Sequence, residues 1–272
     1  MTDHFEQSSQ KLDAAITEIQ HAIATGLANK PRLFEAMRQL YGEGSANGAW
    51  SQRDAFDLLE AALTRHVAGL LNKPQMLTQI SEISALIEAL PTHTVRSEDQ
   101  IRYQQFSTPA DLAALSVILA QPLATDIVLE PSAGHGALVA TLPDVSALHL
   151  NEIDPRRREK LVLLFADATI TGIDGAMLAS HLDAAVQPSL ILMNPPFSRS
   201  MGRGADAFAA VRHLFRFKGL RGARTARCKT GRYSRLEIRK ALIEQRQLLQ
   251  AALRIIEIDP GQRGFQPDSA SL

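Results

Sequence analysis

Cysteine is almost absent from this chain. Among its 272 residues only Cys228 is present, which excludes an internal disulfide and any cysteine-based zinc cluster. The eight histidines are scattered without ligand spacing, so no bound metal is expected. Long apolar runs are missing too: nothing approaches the roughly 18 uninterrupted apolar residues of a membrane span. The polar start Met1-Thr2-Asp3-His4 is unlike a signal peptide. Together these absences predict a cytoplasmic protein with no membrane partner. Net charge is absent as well, with 29 basic against 29 acidic side chains, but the balance is uneven along the chain. Residues 1–198 hold 13 Lys and Arg against 23 Asp and Glu, whereas residues 199–254 hold 15 against 3. Such a concentration of positive charge marks either a nucleic-acid surface or an anomalous tail.

What is present is enough apolar material, 45% of residues, for one core of ordinary size and a smaller appendage. Up to about Leu90 the apolar residues recur at spacings of three and four, in Ala14–Ile23, Leu33–Leu40, Phe56–Leu71 and Met76–Leu90. Pro31 and Pro74 stand at first-turn positions, Ser51 fits a cap, and Gly42, Gly44 and Gly48 mark a loop. Residues 1–96 therefore read as a helical N-terminal domain without chemistry of its own, serving as scaffold, partner-binding surface or substrate-positioning element. From Ser97 the pattern changes to short apolar strands, Ile127–Leu129, Leu148–Leu150, Ala168–Thr171 and Leu190–Met193. Helical stretches Ala110–Ala120, Ala137–Leu142, Pro155–Leu164 and Gly175–Leu182 alternate with them. That alternation predicts an α/β core over residues 97–214 with a parallel sheet, whose ligands lie beyond the carboxyl ends of the strands.

Chemistry collects at those four strand ends. The first is Glu130-Pro131-Ser132-Ala133-Gly134-His135-Gly136, in which the glycines permit a sharp turn and close approach of the backbone to a ligand. The second, Asn151-Glu152-Ile153-Asp154, puts an acid about 20 residues beyond the glycine turn, where a ribose has its hydroxyls accepted. Asp154 competes with Glu152 for that role, but Asp154-Pro155 reads as a helix cap followed by a first-turn proline. After the third strand Asp174 either accepts from the amine of a bound adenine or caps a turn. The fourth strand stops at Asn194-Pro195-Pro196-Phe197, a stiff elbow carrying an amide, free carbonyls and an aromatic face. Those groups suit a flat molecule with an exocyclic amine, the oxygens accepting its two N–H donors while the ring stacks.

In this order the motifs resemble the adenosylmethionine-dependent amino-methyltransferases that modify adenine in DNA, with the gamma-type arrangement. Gln105-Phe106-Ser107-Thr108-Pro109 is similar to the Phe-x-Thr-Pro segment that precedes the glycine motif in that family. The resemblance implies a Rossmann-like class I methyltransferase sheet and S-adenosyl-L-methionine as cofactor. It implies that Phe106 and Thr108 contact the cofactor, that Glu130, Ser132, Gly134 and Gly136 hold its methionine part, Glu152 its ribose and Asp174 its adenine. Asn194, Pro195, Pro196 and Phe197 are then catalytic, gripping a base flipped out of DNA. Methyl transfer to RNA bases or to protein glutamine uses the same donor geometry and is the alternative.

The resemblance covers roughly residues 100–200. Ala205–Leu214 offers a further helix, but residues 215–272 show no Gly-Gly turn and no aliphatic fifth strand, only arginine-rich sequence, a helical pattern near 234–254 and a short Ile255–Ile258 run. Either this basic segment binds phosphates, with Phe215, Phe217 and Tyr233 interleaved, or it is a substitute end produced by a frameshift or rearrangement. In the second case the sheet is incomplete, and the chain is an inactive cofactor- or nucleic-acid-binding remnant.

Overall fold

The structure, a computed structural model, describes residues 2–44, 48–70, 76–92, 107–175, 177–183, 186–194, 224–228 and 256–258. Four helices come first: α1 (Thr2–Ala24), α2 (Lys30–Tyr41), α3 (Gln52–Leu70) and α4 (Met76–Ala89). Local chemistry sets their starts. Asn29 caps α2, its side chain accepting from the Arg32 N–H, with proline in the first turn. At the start of α3, Asp54 accepts from both the backbone N–H and the hydroxyl of Ser51. Leu12, Ile16, Ile19, Leu33, Met37 and Leu58 fill the core between α1, α2 and α3.

The α/β part follows as α5 (Ala110–Ala120), β1 (Ile127–Glu130), a 3-10 turn (Ala137–Val139), β2 (Ala147–Asn151), α6 (Pro155–Leu164), β3 (Thr169–Thr171), α7 (Leu178–His181) and β4 (Leu190–Met193). Helix α5 has apolar residues all round and is correspondingly buried on both sides. Leu112, Ala113 and Val117 pack on the sheet, while Ala110, Ala114 and Leu115 meet Val67, Ile80 and Ile83 of α3 and α4. The front helices are thus bolted to the sheet layer through α5, and also through Leu163 and Leu164 of α6. All four residues of β4 are buried, as expected of a strand covered on both faces.

Six strands form one sheet in the order β3-β2-β1-β4-β5-β6, with β5 (Arg224–Cys228) parallel to β4 and β6 (Ile256–Ile258) antiparallel to β5. No aliphatic fifth strand follows the Asn-Pro-Pro-Phe motif, but the sheet does not stop at β4: the arginine-rich segment supplies a fifth strand, with Leu190 opposite Arg224 and Met193 opposite Arg227. Backbone pairing to the β4 edge makes this strand, not an aliphatic run, which is why the apolar pattern does not reveal it. The Ile255–Ile258 run forms the short strand β6. Two helical expectations shrink. Ala137–Leu142 is a 3-10 turn of three residues, and Gly175–Leu182 becomes the single turn α7.

Reversal of strand order on either side of β1 and β4 is the switch point of a doubly wound sheet, where a crevice opens at the carboxyl ends. Glu130, Glu152 and Asn194 stand at or directly after the carboxyl ends of β1, β2 and β4, along that edge.

Candidate active site

The glycine turn is held open by backbone geometry that only glycine adopts freely. Gly134 has φ +58° and Gly136 φ +80°. Their surroundings differ. A Cβ on Gly136 would lie 2.2 Å from Phe165 Cε2, whereas a Cβ on Gly134 would meet nothing within 4 Å. Gly136 is thus a packing glycine, and Gly134 faces open space suited to a ligand. Gly136→Ala is expected to cost about 3 kcal/mol or more of folding stability, Gly134→Ala only about 1 to 2, measured by urea unfolding.

Glu130, at the end of β1, is buried. Its Oε1 accepts from the backbone N–H and hydroxyl of Ser132, while Oε2 has no hydrogen-bond partner among the described residues. Burial, with a smaller push from the charge of Glu152, raises its pKa from 4.5 to about 8. A carboxyl whose pKa is higher folded than unfolded stabilises the fold below its unfolded value and loses that contribution as pH rises towards 8. Glu130→Gln should therefore be more stable than the parent at pH 8 by on the order of 4 kcal/mol, with the difference vanishing near pH 4; thermal melts across that range measure it.

Glu152 closes the turn from the neighbouring strand. Its Oε2 accepts from Gly134 N–H at 2.8 Å and its Oε1 from Asp154 N–H at 2.8 Å. Each oxygen keeps a lone pair for a further donor. Asp154 is the cap of α6, accepting from the N–H groups of Arg156 and Arg157, as the Asp-Pro pair predicts. It also receives Arg53 of α3 at 2.8 Å.

Asn151 was not assigned a role from sequence, yet it organises three strand ends. Its Nδ2 donates to the carbonyls of Pro131 and Ile173, and its Oδ1 accepts from Ile173 N–H and the Thr171 hydroxyl, all between 2.8 and 3.0 Å. Asp174 follows directly in the loop so fixed and is exposed. That loop runs close to the first, since a Cβ on Gly175 would lie 3.7 Å from the Pro131 carbonyl oxygen. Exposed Ile153 and Met177 add apolar surface beside Glu152 and Asp174.

On the other side of β1, Asn194 continues from β4. Its Nδ2 donates to the Thr108 hydroxyl at 2.9 Å, across 86 residues of sequence. Thr108, expected against the cofactor, thus touches the first residue of the Asn-Pro-Pro-Phe elbow. Phe106, Pro195, Pro196 and Phe197 lie outside the described residues.

The front helices reach this region through polar contacts. Asp54, Asp57 and Glu60 of α3 meet Arg156, Arg157 and His135 respectively, at 2.6, 2.9 and 3.0 Å. Burial works against the charge on Glu60, but the His135 hydrogen bond, the charges of His135 and Arg157, and the Ser107 hydroxyl outweigh it and hold the carboxyl well below its ordinary value. Asp57, Glu60 and His135 are the one group of described residues with metal-ligand chemistry at close range. Arg157 bonds Asp57 and His135 bonds Glu60 directly, so these side chains already satisfy one another in a polar network. Partners separated by about a hundred residues leave no sequence spacing by which to find it.

The chain matches no protein-family model and no curated protein. Among the solved structures it is similar to are a putative RNA methyltransferase from Pyrococcus horikoshii, 16% identical with a TM-score of 0.41, covering 62% of this chain and 80% of that one, and a putative class I S-adenosylmethionine-dependent methyltransferase from Listeria monocytogenes, 13% identical with a TM-score of 0.38, covering 83% and 74%. The strand order, with its last strand reversed, gives the fold class by itself: a helical region followed by a Rossmann-like, mostly parallel sheet. No helix among the described residues is long and apolar enough to cross a membrane.

Proposed function

We propose that the chain is an adenosylmethionine-dependent amino-methyltransferase acting on the exocyclic amine of a nucleic-acid base. The observation that carries this reading is the Asn194–Thr108 hydrogen bond, which joins the upstream segment to the catalytic elbow beside the glycine turn. The described residues fit the cofactor. The buried, unpartnered Glu130 Oε2 suits its ammonium group, the open face of Gly134 its methionine chain, the spare lone pairs of Glu152 its ribose, and exposed Asp174 its adenine amine.

Bound adenosylmethionine supplies an activated methyl group; the chain supplies position and dipoles. A base amine is a weak nucleophile because its lone pair is delocalised into the ring. With Nδ2 committed to Thr108, Asn194 presents Oδ1 as an acceptor for one amine proton, and the Pro195 carbonyl accepts the other. Density then localises on nitrogen, Phe197 fixes the ring plane, and in-line placement with preorganised acceptors accounts for the rate. A base in a duplex must be flipped out to arrive there. Phe106-Ser107-Thr108-Pro109 favours adenine in DNA; RNA bases offer the same amine and are an equal arm of the test, with protein glutamine a third.

Thermal stabilisation by adenosylmethionine checks the first half of the proposal, since a ligand at 100 times its Kd adds about 2.7 kcal/mol to folding. Absence of any shift at millimolar cofactor sinks it and leaves the non-catalytic remnant. Labelled-methyl incorporation into DNA, RNA and protein then assigns the acceptor.

A further inference from the structure

Glu60 stands on front helix α3, outside the sheet, yet its Oε2 accepts from two groups that belong to different segments of the α/β part. One is the Ser107 hydroxyl. The other is His135 Nδ1 at 3.0 Å. Ser107 precedes Thr108, which holds Asn194. His135 lies between Gly134 and Gly136, its ring 2% exposed and its Nε2 3.8 Å from Asp57 Oδ1. Asp57 in turn holds Arg157 in the first turn of α6, just beyond Glu152. A single carboxylate oxygen thereby connects the loop proposed for the cofactor with the segment that sets the amide proposed for the acceptor.

We infer that Glu60 is a positioning residue that couples the two halves of the site, so that filling the glycine turn also orders Ser107, Thr108 and Asn194. This rests on the proposed cofactor reading. Movement of the glycine turn must move the His135 ring, because the ring is buried and the flanking positive-φ glycines set its backbone. His135 cannot shift without Glu60 following, and Ser107 is on the same oxygen. Cooperation of this kind requires a contiguous network with energetic coupling, which hydrogen exchange can register.

The test is amide hydrogen exchange on the full chain, with and without adenosylmethionine, for the parent, Glu60→Ala, Ser107→Ala and Ser107→Thr. In the parent, cofactor should slow exchange at residues 134–139 and also at 107–114. Ser107→Ala should keep the first effect and lose the second, with cofactor Kd within about threefold and kcat down about tenfold. Ser107→Thr, which retains the hydroxyl, should restore both. In cofactor-free protein, Glu60→Ala should speed exchange at both segments together while α1 is unchanged, and this arm stands apart from the cofactor reading. Loosening of only one segment, or cofactor-induced protection of 107–114 that survives Ser107→Ala, overturns the coupling. A parent chain that shows no cofactor-induced protection anywhere overturns the cofactor reading instead.

Discussion

Asn194→Ala is expected to lower methyl transfer by about 10³-fold or more while leaving the Kd for adenosylmethionine within about threefold. In the proposed function the amide belongs to the acceptor half, in keeping with its one side-chain hydrogen bond among the described residues, which goes to Thr108 and not to the glycine turn. Removing it deletes both the acceptor oxygen for the amine and the group that Thr108 orients. Single-turnover transfer, with cofactor binding measured separately by calorimetry, gives the two numbers. Asn194→Asp provides a sharper form of the same test, because it keeps an acceptor but loses the N–H donated to Thr108, and it should retain more activity than the alanine variant. A parallel loss of binding and transfer in Asn194→Ala would assign the residue to cofactor binding.

Asn151→Leu should be the most destabilising polar substitution at the sheet edge, at about 3 to 5 kcal/mol. The side chain is buried and uses its amide fully, so its loss leaves two carbonyls, one N–H and one hydroxyl without their partner. Those groups belong to the loops after β1 and β3, and cofactor affinity should fall with stability. Chemical denaturation and cofactor titration at one temperature measure both. Stability within about 1 kcal/mol of the parent would mean that water or backbone movement satisfies the four groups.

Strand β4 and helix α6 are legible to the residue because their signals are local: four consecutive apolar residues before a proline, and an Asp cap before a first-turn proline. The places of Gly134, Gly136, Glu152 and Asn194 beyond strand ends are legible for a related reason, since each follows a strand that its apolar run marks. Two kinds of feature escape. Strand β5 has no apolar run, and its existence depends on the β4 edge against which it pairs. Glu60 reads as one more polar residue on an amphipathic helix, for its partners Ser107 and His135 lie 47 and 75 residues away. Asn151 falls between these cases. It sits inside a recognised motif, but the adjacent carboxylate draws the functional reading, and an amide that joins three strand ends has no signature until the strands are paired.

The central claim is that the strand-end motifs form one methyl-transfer site, and nucleoside analysis tests it most directly. The full chain is incubated with methyl-labelled adenosylmethionine and unmethylated DNA or RNA, and the recovered nucleosides are resolved and identified. Labelled N6-methyladenosine, in its deoxy or ribo form according to the acceptor, should appear with the parent chain and fall to background with Asn194→Ala. Label in neither nucleic acid nor protein, or equal label from the parent and Asn194→Ala, would contradict the claim.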